Sequence, residues 1–150
     1  MTEAANPQDR SAIEALILAE NAAWDRGDAT AFAARTMPDI AFTNVVGRFT
    51  VGRPPFVAQH EHIFATIYKG SRLTQAIEHM AFIRPDIAIV NTLTSVTGYQ
   101  ALPPGAAALN GILHSRLEQV FMKNADGWWV AAFHNVAVNP SIPGILPTEP

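Results

Sequence analysis

Apolar residues near the start of the chain recur at spacings of three and four. Ile13, Leu16, Ile17, Ala23 and Trp24 fall on one helical face, with Glu20 among them. This predicts an amphipathic helix over residues 9–26, with Asp9 as N-cap and Gly27 as its stop. Asp28 is placed to cap a short second helix through Arg35. Residues 39–44 and 48–51 flank Val45-Val46-Gly47 and read as a small hairpin. Pro54 and Pro55 open a third helix that runs to about Tyr68 and stops at Gly70. Its stripe is Phe56, His60, Ile63, Phe64 and Ile67. After Gly70 the pattern changes to strand. Residues 72–84 and 87–99 are joined at Pro85-Asp86, and a Pro/Gly/Ala loop spans 101–111. Strands 112–123 and 128–138 are joined by the turn Asn124-Ala125-Asp126-Gly127. Three helices followed by an antiparallel meander predict an α+β fold, with the N-terminal helices packed on one face of a strongly curved sheet. The expected organisation is a flexible arm at 1–8, one domain over 9–138, and a C-terminal tail at 139–150 that holds four of the eleven prolines.

Composition narrows the class of function. Hydrophobic residues make up 49% and charged residues 15%, a globular chain whose sparse charged shell suggests that a second subunit covers part of it. A net charge of −3 with ten Lys+Arg leaves no basic footprint for nucleic acid or an anionic membrane. The absence of cysteine excludes disulfides, thiolate metal sites, cysteine nucleophiles and Fe–S clusters. No apolar run has the length of a membrane span, and residues 1–10 lack the pattern of a signal peptide, so the expected location is the cytoplasm. The five histidines lack shared-face metal spacing: His60-Glu61-His62 puts its two imidazoles on different helix faces. Neither a metal nor a cofactor is expected.

The order of these elements and the residues at their joints resemble the nuclear transport factor 2-like (cystatin-like α+β) superfamily over about residues 9–138. The carriers are Ala23-Trp24-Asp25-Arg26-Gly27-Asp28, Phe42-Thr43-Asn44 followed by Gly47, Gly52-Arg53, and Asp126-Gly127-Trp128-Trp129-Val130. The stretches from Phe64 to Leu73, Ile83 to Ala88 and Ala132 to Asn135 look most like the SnoaL-like branch, which includes small proteins of enediyne clusters. The resemblance implies a cone-shaped pocket between helices and sheet, and a homodimer through the outer sheet face. It does not choose among isomerases, dehydratases, cyclases, epoxide hydrolases and non-catalytic assembly domains, which share the fold.

Polar side chains that interrupt apolar stripes need a partner or a ligand. Glu20 is one, and His60 is another. Asn44 and Gln119 fall where ketosteroid isomerases of this superfamily carry aspartates; amides donate and accept hydrogen bonds but abstract no proton at neutral pH. An even-length turn in the last hairpin would put Leu117, Gln119 and Phe121 on one face with Val130, Ala132 and His134, whereas a three-residue loop with a bulge would move His134 to the other face. The expected pocket is therefore Trp24, Phe42, Asn44, His60, Phe64, Leu117, Gln119 and Phe121, with His134 first and Glu20 second as acid–base groups. The face of His79 stays open. The opposite sheet face, with Val120, Met122, Trp129, Ala131 and Phe133, is the expected dimer surface. Two functions follow. One is binding of a small, largely apolar organic molecule, with proton transfer, hydration or dehydration on it. The other is a non-catalytic dimerising binding or assembly module. An enclosed pocket favours the first and a filled cone the second.

Overall fold

Pro7 sets the start of the first helix. Its missing N–H costs nothing at a helix N-terminus, and the Asn6 side chain caps the turn by accepting from the Gln8 backbone N–H at 2.9 Å. In the computed structural model, which describes residues 6–147, the elements in chain order are α1 (Pro7–Asp25), α2 (Ala29–Phe32), β1 (Thr36–Thr43), β2 (Phe49–Val51), α3 (Arg53–Ala65), β3 (Arg72–Arg84), β4 (Ile87–Thr97), β5 (Leu113–Asn124) and β6 (Gly127–Ala137). Residues 1–5 of the expected arm and 148–150 of the expected tail lie outside the described residues, and Pro7 and Gln8 belong to α1. Asp9 is not the cap. Its carboxylate accepts from Lys123 Nζ at 2.9 Å and Trp128 Nε1 at 3.0 Å, which fastens α1 to the far end of the sheet. The Lys123 hydrogen bond, above all, holds its pKa below the ordinary value.

Asp28 does cap α2, accepting from the Ala31 N–H at 3.0 Å, but that helix ends at Phe32 and the first strand begins sooner than its pattern suggests. The third helix ends at Ala65, with turns carrying the chain to Gly70.

The six strands form one curved sheet in the order β2-β1-β6-β5-β4-β3. All neighbours are antiparallel except β1 and β6, which run parallel. Arg35, just before β1, welds this parallel pair. Its backbone carbonyl accepts from the Val130 N–H at 2.7 Å, and its guanidinium donates to the Trp128 and Asp126 carbonyls at 3.0 and 2.8 Å while lying 3.8 Å over the Trp129 ring. A side chain at Gly127, whose φ is 103°, would meet that guanidinium at 3.0 Å.

One irregularity decides which side chains face the helices. From the turn, β5 and β6 pair as Asn124 with Gly127 through Phe121 with Val130; the next pair is Val120 with Ala132. Ala131 is thus an extra residue, a β-bulge, and it reverses the alternation of everything after it. Phe133, Asn135 and Ala137 turn toward the helices, opposite Gln119, Leu117 and Ser115. His134 turns to the outer face opposite Glu118 and is exposed. Three expectations fall with this register, the first being Ala132, which pairs with Val120 on the outer face instead of sharing a face with Gln119. His134 does not share a face with Gln119, and Phe133 is core rather than outer surface, 4% exposed. A similar bulge at Glu78 sets His79 opposite Asn91, exposed on the outer face.

Candidate functional site

Between α1, α2 and α3 on one side and the inner sheet face on the other lies a cavity of about 660 Å³. Its walls are mainly apolar: Trp24, Phe32, Phe42, Tyr68, Leu73, Val96, Leu113, Leu117 and Phe133 all border it. Val45, Val46 and Arg48 from the β1–β2 turn, Gln59 and His62 from α3, and Pro103 and Pro104 from the β4–β5 loop complete the lining. Trp24 is fixed by its indole N–H, which donates to Ser71 Oγ at 2.9 Å; that hydroxyl in turn donates to the Tyr68 carbonyl at 2.7 Å.

Of the eight residues expected in the pocket, Trp24, Phe42, Asn44, His60 and Leu117 border the cavity. Phe64, Gln119 and Phe121 do not: all three are buried in the core beyond its wall. Neither of the two expected acid–base groups reaches it. His134 is on the other side of the sheet for the reason given above. Glu20 is buried against the sheet, where its Oε1 accepts from Gln119 Nε2 at 2.9 Å and Gln75 Nε2 at 3.1 Å. Gln75 Nε2 also donates to Asn21 Oδ1 at 3.0 Å and Gln75 Oε1 accepts from Thr92 Oγ1 at 3.1 Å, so five side chains form one polar chain. Burial pushes the Glu20 carboxyl up to about 7, against the opposing pull of its two amide donors. Gln119 Oε1 is sealed and has no partner among the described residues.

The polar groups that do face the cavity come from both walls. Asn44 closes the β1–β2 turn: its Oδ1 accepts from the Arg48 N–H at 2.9 Å and the Val46 N–H at 3.2 Å. With its oxygen so engaged, its NH₂ is the end left for other partners. Asn135, on the neighbouring strand and next in the parallel register to Asn44, also borders the cavity, and its Oδ1 is buried without a partner among the described residues. Thr50 Oγ1 is in the same condition. Thr94 and Ser115 share a hydroxyl–hydroxyl bond on the sheet wall. Asn135, Thr50, Thr94 and Ser115 escape a reading of the sequence. For Asn135 the reason is the bulge; the others are small polar residues in strands, which carry no pattern of their own. Among the described residues, no group of three or more histidine or carboxylate side chains is placed to hold a metal ion. None of the described helices is long and apolar enough to cross a membrane.

His60 is deeply enclosed, 3% exposed. Six aromatic rings surround it, with centroids from 4.4 Å (Phe56) to 6.4 Å (Trp24 and Phe133). Its Nδ1 lies 2.7 Å from the Phe56 carbonyl oxygen. Burial pulls its pKa down to about 4, although the Phe56 bond acts the other way.

The shape of the fold has many counterparts among solved structures. An uncharacterised protein with a cystatin-like fold from Caulobacter vibrioides is 28% identical, with a TM-score of 0.76 over 89% of this chain and 92% of the other. A domain of unknown function with the same fold from Nostoc punctiforme is 26% identical, with a TM-score of 0.76 over 91% and 81%. The chain has the cystatin-like fold of these two proteins, the fold that the resemblance implies. A ketosteroid isomerase-like protein from Erwinia carotovora atroseptica also matches, at 21% identity and a TM-score of 0.72 over 90% and 100%, a likeness of fold alone. No protein-family model and no curated protein matches the chain. This chain puts its two resembling amide positions to different uses. Asn44 holds a turn at the cavity, and Gln119 is spent on Glu20 in the core.

Proposed function

We propose that this protein binds one small, largely apolar organic molecule in the cavity between helices and sheet. The observation that carries the reading is the cavity itself: the cone is unfilled, about 660 Å³, with an aromatic and aliphatic lining. Its size and lining are those of small-molecule sites. A module whose only task is assembly has no use for such a space, and filling it would add packing energy. Binding fits the geometry better than proton transfer by Glu20 or His134, since neither carboxyl nor imidazole reaches the space a ligand would occupy.

The test is titration with 8-anilinonaphthalene-1-sulfonate, an aromatic anion whose emission rises when its rings leave water. One saturable site is expected. Ala137 borders the cavity half-buried, so Ala137→Trp fills space without displacing core. It should lower the affinity at least about tenfold, the loss of roughly 1.4 kcal/mol of contact. A folded Ala137→Trp protein that binds the probe as the wild type does would place binding elsewhere.

A further inference from the structure

We infer that the ligand of this cavity carries an O–H or N–H group, and that His60 selects it by presenting a fixed lone pair at Nε2. The inference rests on the cavity being a ligand site. It concerns which molecules that site accepts.

The argument starts from a carbonyl, which only accepts. Nδ1 of His60 lies 2.7 Å from the Phe56 carbonyl oxygen, so Nδ1 must carry the hydrogen and donate it. Six aromatic rings enclose the imidazole, and no charged group is near enough to favour a second proton. The ring is therefore neutral, with Nδ1 protonated and Nε2 bare. His60 borders the cavity. Among the described residues Nε2 has no hydrogen-bond partner, yet it is not one of the polar atoms sealed from solvent. An accepting nitrogen in an aromatic box cannot rotate to become a donor, because that would break the Phe56 bond. A ligand that brings a donor completes it. A ligand that brings only an acceptor, or bare hydrocarbon, leaves it desolvated and unpaired, which is the costly case. Asn44 complements this from the opposite wall with the other polarity, its NH₂ free to donate.

The probes are 2-naphthol and 2-methoxynaphthalene, which share a ring system but differ in whether the oxygen can donate. Both are titrated against the wild type and a folded His60→Phe variant, read by tryptophan fluorescence and by calorimetry. The wild type should bind 2-naphthol about fivefold to tenfold more tightly, the effect of one hydrogen bond to an otherwise unpaired group. In His60→Phe the two probes should bind alike. Equal affinities in the wild type would overturn the inference while leaving the apolar-site reading intact. A preference that survives in His60→Phe would overturn it too, since another group would then be the acceptor. Binding of neither probe would overturn the apolar-site reading and this inference together. Should His60→Phe not fold, ¹⁵N spectra of the wild-type ring decide. Nε2 should resonate as a bare, pyridine-type nitrogen and move on addition of 2-naphthol, and a protonated Nε2 would refute the argument.

Discussion

Glu20→Gln should make this protein more stable, and only where the pH is high enough to charge the carboxyl. In the fold, burial raises the Glu20 pKa from an ordinary 4.5 to about 7. A carboxyl with a folded pKa above its unfolded value binds its proton more tightly when folded. Its contribution is therefore favourable to folding at low pH, is lost as pH rises from 4.5 to 7, and is constant above that. At 1.36 kcal/mol per pH unit, the full loss is about 3 kcal/mol, a large share of a small domain's stability. A glutamine keeps the acceptor oxygen that Gln119 and Gln75 use, carries no charge, and brings a donor beside the unpartnered Gln119 Oε1. The assay is urea unfolding of both proteins at pH 5 and pH 8. Because part of the loss has already occurred at pH 5, the advantage of Glu20→Gln should grow by about 2–3 kcal/mol between the two. An advantage that does not change with pH would refute the reasoning. It would mean that Glu20 titrates at its ordinary pKa, and that its bonds to the two amides offset its burial.

Three further outcomes are expected. Arg35→Met removes two hydrogen bonds to backbone carbonyls and the stacking on Trp129, and should cost about 2 kcal/mol in urea unfolding; no loss would show the β1–β6 weld to be idle. His134→Gln, on the outer sheet face, should leave the affinity for 8-anilinonaphthalene-1-sulfonate unchanged, and a weaker complex would mean that the bulge at Ala131 is misplaced. The outer face still offers Val120, Met122 and Trp129 from the expected set, with Ala132 and Val136 beside them; sedimentation velocity should give a homodimer that Val120→Glu dissociates, whereas a wild-type monomer at micromolar concentration would refute the dimer.

The fold was legible because its signals are long and redundant. The first and third helices each have an apolar stripe with a stop beyond it, and β4 and β5 alternate along nearly their whole length. The wall formed by α1 and α3 was legible for the same reason: Trp24 and His60 sit where their stripes put them. The sheet wall was legible only up to Ala131. Alternation carries no mark of where an extra residue intrudes, and Val130-Ala131-Ala132-Phe133 reads equally well in either register. The faces of Phe133, His134 and Asn135 therefore had to come from the pairing with β5. Glu20 shows a different limit. Its place on an apolar stripe marked it as a group in need of a partner or a ligand, and it is buried against the sheet. Whether a buried carboxyl meets a ligand or the amides of Gln75 and Gln119 depends on residues 55 and 99 positions away, beyond the reach of any local pattern.

The parallel pairing of β1 with β6 has a consequence for how the chain reaches this state. The strands β3 to β6 form a meander whose contacts are local and can zip from one hairpin to the next. The elements β1, β2 and α3 have no sheet to join until β6, the last strand, is in place, because Phe42 meets Phe133 and Thr43 meets His134 across it. Closing so long a loop costs entropy before any contact repays it, so this docking belongs late in folding and slows it. On the ribosome, the helical layer emerges first and must wait with Phe32, Phe42 and Phe56 uncovered until the last strand is made. Phe32 and Phe42 border the cavity, and all three rings belong to the box around His60. The cavity is thus the last part of the molecule to assemble, since its sheet wall is incomplete until β6 brings in Phe133 and Asn135.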